Sequence, residues 1–180
     1  MRVVRRAARA ILIDSGGQLI VFRRSLPGQP RYWATVGGGV DQQDTSVEAA
    51  LHREVAEELG ATVDRVQQVF LTSATRHSGG DTPGITVQHF FVCRLTSMNL
   101  AARTGDEFTN PAKGRYDVER IDLRGDDLAR FALQPGALKD FILANRDALL
   151  EAVADPDPAP DRDPAPDRDP APDRDRSGFR

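Results

Sequence analysis

The stretch 45–60, TSVEAALHREVAEELG, restricts this chain more than any other, because both its ends and both its faces are specified. Thr45-Ser46-Val47-Glu48 has the spacing of a capping box, which predicts Thr45 as the N-cap with Glu48 reaching back to it. Gly60 stands where a helix end calls for a left-handed residue, so the helix is expected over 46–59. Leu51, Val55 and Leu59 recur every four residues and form one apolar stripe, which must dock on a sheet or another helix. Glu54, Glu57 and Glu58 fall at i, i+3 and i+4, so their carboxylates emerge side by side. Three adjacent carboxylates resist ionising together unless positive charge sits among them. Arg53 is the one base within the cluster and cannot neutralise three acids.

The flanking sequence supplies the sheet. Residues 7–14 and 18–24 read as strands joined by a Ser15-Gly16-Gly17 turn, where glycine admits positive φ. A short extended piece over Tyr32–Val36 meets Gly37-Gly38-Gly39, expected as a loop where bare backbone can approach a ligand. Residues 65–76, 84–95 and 115–123 are further expected strands. In the second of these, Ile85, Val87, His89, Phe91, Cys93 and Leu95 share one face at period two. Asp126–Phe131 is expected as a short helix. Pro135 opens a last helix whose buried stripe is Leu138, Phe141, Ile142, Leu149 and Val153. Strands with one helix in the middle and one at the end predict an α/β chain of α+β type, a mixed sheet sandwiched between helices.

Charge separates a body from a tail. The formal charge of −3 sits in residues 155–180, which hold eight Asp and five Arg, and the remaining 19 acidic and 19 basic residues cancel. In that tail Pro-Ala-Pro-Asp-Arg-Asp occurs three times, and proline so dense blocks helix and sheet alike. One domain is therefore expected over 1–154, with a disordered tail over 155–180. A neutral body argues against a nucleic-acid partner and against a polybasic membrane anchor. No apolar run approaches the roughly 18 residues that span a bilayer. The single cysteine, Cys93, excludes an internal disulfide. The Arg-rich start runs directly into a strand rather than a leader, so a cytoplasmic location is expected. A homodimer is compatible with the sequence.

Hard carboxylate oxygens without cysteine or histidine suit Mg²⁺, or Mn²⁺, bound together with substrate phosphates. At this point Gly38-Gly39 followed by Arg53-Glu54-Val55-Ala56-Glu57-Glu58-Leu59-Gly60-Ala61 resembles the Nudix box. Its second half matches at every fixed position, with Ala61 a weak last aliphatic. Its first half departs: Asp44 or Thr45 stands where the family carries a glutamate before the helix, and either can cap the helix.

The resemblance implies the Nudix fold and a pyrophosphohydrolase that cleaves a nucleoside diphosphate derivative by attack of water on phosphorus. Glu57 and Glu58 would hold the cation, with Glu54 a third ligand or the base. Arg53 would hold the acids in place, and a carbonyl of Gly38 or Gly39 would complete the coordination. Glu107, in an expected loop over 100–114, is an alternative base. Arg23 and Arg24 are candidate phosphate binders, and Trp33 and Tyr32 could stack on a base or pack beside the glycines. Two other readings stand beside this one: a Nudix-fold ligand-binding or regulatory module without catalysis, and an isomerase of isoprenyl diphosphates. The second would need a reactive cysteine, whereas Cys93 lies on an apolar face.

Overall fold

The computed structural model describes residues 2–76, 84–105, 108 and 110–155. Within them the strands are β1 (Arg2–Ile13), β2 (Gln18–Ser25), β3 (Tyr32–Gly39), β4 (Ala61–Arg76), β5 (Gly84–Met98), β6 (Arg115–Asp122) and β7 (Leu133–Gln134). The helices are α1 (Val47–Leu59) and α2 (Gly136–Val153), with short 3-10 turns between elements. The strands form one mixed sheet in the order β4-β5-β1-β2-β3-β7, with β6 on the other edge of β2. β1 runs parallel to β5, β3 parallel to β7, and the remaining pairs are antiparallel.

Each helix closes a separate core. Leu51, Val55 and Leu59 of α1 are fully buried against Ala8, Ala10, Leu12, Ile20, Phe22 and Val36. Leu138, Ile142, Leu149 and Val153 of α2 pack with Ile11, Ile13, Leu19, Val21, Phe90 and Val92 on the other side. The alternation along β1 explains the division, since Ala10 and Leu12 serve one cluster while Ile11 and Ile13 serve the other. The layers are helix, sheet, helix, as expected. Among the described residues no helix is long and apolar enough to cross a membrane.

Three local expectations are corrected. β1 begins at Arg2, not residue 7, because its arginine stretch pairs with β5 from Gly84 onward. The glycines are not a loop. They extend β3 to Gly39 and pair with Ala7, Ala8 and Arg9 of β1, so backbone pairing holds them straight. The N-cap of α1 is Ser46 rather than Thr45: its hydroxyl accepts from the Ala49 amide at 2.9 Å, and the third helical position is alanine, so no capping box forms. Ser46→Ala is therefore expected to destabilise the protein by about 1 kcal/mol in urea titrations, and Thr45→Ala by far less. Gly60 does end the helix in the left-handed region, at φ 56°. Cys93 is fully buried, and burial pushes its thiol up to about 12, which makes it unreactive.

Candidate active site

Helix α1 places its acids where they meet the glycine half of β3. Arg53 is the hub of the arrangement. Its Nη1 donates to Glu54 Oε1 at 2.9 Å and to Glu57 Oε2 at 3.1 Å. Its Nη2 donates to the Gly39 carbonyl and to Asp44 Oδ2, both at 2.9 Å, and its Nε to Asp44 Oδ1 at 3.1 Å. Asp44 thus grips the guanidinium with both oxygens and does not cap the helix. The Arg53 guanidinium holds the Asp44 carboxyl below the usual range, and Asp44 in turn raises Arg53 further. One side chain ties the helix, the strand and the turn between them into a single unit.

The three glutamates occupy different environments. Glu57 is half-exposed and Glu54 largely covered. Burial pushes the Glu54 carboxyl upward, against the opposing pull of Arg53. Glu58 is buried and accepts from the Gly37 amide at 2.6 Å. Glycine is required beside them: a methyl group at Gly38 would overlap the Glu54 carboxylate, and Gly37 has φ 128°. On the other side of Gly37, Arg9 of β1 donates through Nη1 to the carbonyls of Gly37 and, at 3.4 Å, Thr35. Burial lowers the Arg9 guanidinium, and Glu58 and Glu54 counter this through space.

The NUDIX domain model matches residues 3–130. The chain belongs to the NUDIX family. No curated protein matches its sequence. Among solved structures, a NUDIX hydrolase from Nitrosomonas europaea superimposes with a TM-score of 0.59 at 14% identity, over 80% of this chain and 88% of that one. The NUDIX domain of Shewanella oneidensis NrtR, complexed with ADP ribose, gives 0.57 at 17% identity, over 82% and 89%. A MutT protein from Bacillus halodurans gives 0.55 at 18% identity, over 84% and 86%. At such identities the likeness speaks for the NUDIX fold alone.

The donors fit a divalent cation in chemistry: three carboxylates, Glu58 buried and Glu54 largely covered, crowd a run of glycines with no side chains of its own. As they stand they face Arg53 and Gly37 instead. Among the described residues no three metal-ligating groups converge as a preformed site. The Gly39 carbonyl, expected as a possible ligand, accepts from Arg53.

Arg23 and Trp33 lie apart from these acids. Arg23 is bound by Asp117 at 3.0 Å and Glu119 at 2.6 Å. Trp33 donates to Glu119 at 2.5 Å, packs edge-on against Phe131 and belongs to the α2 core. Arg24, one residue on, instead sits over the Tyr116 ring at 3.5 Å. His89 is partly buried and meets Gln68. Glu107 and His77 lie outside the described residues. Arg9 was not anticipated; an arginine inside the apolar run Ala7–Ile13 was the available signal.

The Arg23 cluster yields a test of its role. The Arg23 hydrogen bond depresses the Asp117 carboxyl, so that pair contributes stability above the unfolded carboxyl pKa and loses it as pH falls through the depressed one. Asp117→Asn is expected to lower the thermal midpoint at about pH 7, with the gap to the parent closing below about pH 3. Turnover should be unchanged if Arg23 is a structural ion pair.

Proposed function

We propose that this NUDIX protein is a Mg²⁺- or Mn²⁺-dependent hydrolase that cleaves a phosphoanhydride bond of a nucleoside diphosphate derivative. One observation carries the reading: Arg53 holds Glu54 and Glu57 together beside a glycine strand whose Gly37 amide fixes Glu58. A helix built only to dock would not crowd three acids against bare backbone. The complex of the NrtR NUDIX domain with ADP ribose supports a nucleotide-derived ligand.

Glu57 and Glu58 are the donors we assign to the cation, which when bound supplies positive charge against diphosphate oxygens and acidifies a water. Arg53 keeps the acids in their rotamers and, being anchored on Asp44 and Gly39, cannot follow the substrate. Glu54 Oε1 is occupied by Arg53, which leaves Oε2 to accept the proton of the attacking water. Its raised pKa suits that task better than that of an exposed glutamate would. The absence of a side chain at Gly38 makes room for the Glu54 carboxylate against the strand.

A second reading, a NUDIX-fold binding module, draws on Arg53 already occupying one oxygen each of Glu54 and Glu57. Hydrolysis assays separate the two readings. Nucleoside diphosphate sugars, dinucleoside polyphosphates, oxidised nucleoside triphosphates and NAD-like molecules would each be offered with Mg²⁺ and with EDTA. Metal-dependent turnover of at least one class is expected. Binding without turnover of any class would favour the module.

A further inference from the structure

Four consecutive residues of β1, Val3, Val4, Arg5 and Arg6, line one cleft of about 400 Å³ together with Val40. A regular strand would send two of them to each face. The bulge between Val3 and Arg5, where β1 slips against Ile85 and Thr86 of β5, breaks that alternation and turns all four toward one space. Val4 lies over Gly84, yet 54% of it stays exposed, as does 43% of Val3. Arg2, Arg5 and Arg6 are exposed as well, and none forms an ion pair or side-chain hydrogen bond with a described residue. The acid next to Val40, Asp41, instead stands 3.6 Å from Arg53. Exposed valines set among unpaired arginines make a surface for an acidic, partly apolar partner.

The chain carries such a segment itself, in the repeats of Pro-Ala-Pro-Asp-Arg-Asp within residues 156–180. Along an extended chain, acids two apart such as Asp161 and Asp163 point one way, while Arg162 between them points the other. Each repeat can therefore offer two carboxylates to one surface despite its arginine, and the Pro-Ala-Pro step offers small apolar groups to the valines. The segment is also tethered within reach. Asp155, just before it, is paired with Arg94 of β5, which holds Asp64 at 2.6 Å as well. From Arg94 back to Thr86, the partner of Arg5, is roughly 26 Å at the rise of a strand. Residues 156–180 extend to roughly 75 Å at the rise of a polyproline chain, enough to pass around the sheet edge. Such a tether gives a local concentration on the order of 1 mM, at which weak charge pairs suffice. We propose that the repeat tail docks on its own body, its aspartates on Arg2, Arg5 and Arg6 and its Pro-Ala-Pro steps over Val3 and Val4. This holds whether or not the protein is a hydrolase. The cleft nonetheless borders the acids of α1, since a methyl group on Gly39 would come 3.3 Å from Arg5 Nη2.

A spin label tests this in the full chain. Cys93 is fully buried, so an Ala165→Cys substitution takes the label at one place. In ¹⁵N-labelled protein the amide signals of residues 2–6 and Val40 are expected to lose most of their intensity against the reduced label, while those of β6 keep theirs. The double variant Arg5→Gln with Arg6→Gln should restore the intensity, as should about 0.5 M NaCl, which screens exposed charge pairs. Combined Asp161→Asn, Asp163→Asn, Asp167→Asn and Asp169→Asn should restore it too, and these leave every contact of the body in place should the arginine variant fold poorly. Full intensity at residues 2–6 in the parent would overturn the proposal and leave the arginines to a separate acidic partner. Broadening that survives both sets of substitutions overturns it as well. Equal broadening when the spin label and the ¹⁵N sit on different chains in a mixed sample would show the tail reaching a second copy, which overturns docking on its own body.

Discussion

Glu57→Gln and Glu58→Gln are each expected to lower turnover at least about a hundredfold, since an amide replaces a charged ligand for the cation. The two changes reach this result from different surroundings. Glu57 is half-exposed and its contact in α1 is Arg53, so its amide removes charge at little cost to folding. Glu58 is buried on the Gly37 amide, and a glutamine carbonyl can accept the same hydrogen bond. Glu57→Gln should therefore keep parental circular dichroism and melting temperature while losing activity, whereas Glu58→Gln also removes charge that counters the buried Arg9 and is assayed well below its own melting temperature. Mg²⁺ titration of the residual rate should show weakened metal dependence. Parent-like turnover in both variants would sink the assignment of the acids to the cation.

Arg53→Lys is expected to cost about ten- to a hundredfold in turnover with little change in KM, although charge is conserved. A lysine ammonium is a single point of donation. It cannot reach Asp44, the Gly39 carbonyl, Glu54 and Glu57 at once, as the guanidinium does at 2.9–3.1 Å. Without that brace the acids lose their fixed positions and the glycine strand loses its tie to α1. The melting temperature should fall as well. Assays well below the lowered midpoint distinguish positioning from unfolding: a rate restored to the parental value there would show that Arg53 serves stability alone.

Much of this was readable from residue order, and the misses have physical causes. The stripe of Leu51, Val55 and Leu59, the side-by-side glutamates and the Gly60 stop are local periodicities, and they appear as expected. The glycines were expected as a loop because low strand propensity is local, whereas their pairing with Ala7–Arg9 comes from a strand more than twenty residues away. The same distance hid Arg9. Its neighbours in the chain are apolar, and only the fold brings it to Gly37 and Thr35. Asp44 shows the opposite case. Its position marked a departure from the box, but only the fold shows its two oxygens on Arg53. Arg23 and Arg24 could not be ranked from sequence, because which of two adjacent strand residues finds carboxylates depends on Asp117 and Glu119 of β6.

Trp33 is the only tryptophan in the chain, so all indole fluorescence comes from one known address. Its ring is fixed between Glu119 and Phe131, and its backbone pairs with Leu133 at the start of β7. The emission spectrum should therefore record, without any label, the loosening of the α2 core while α1 and its acids are still in place.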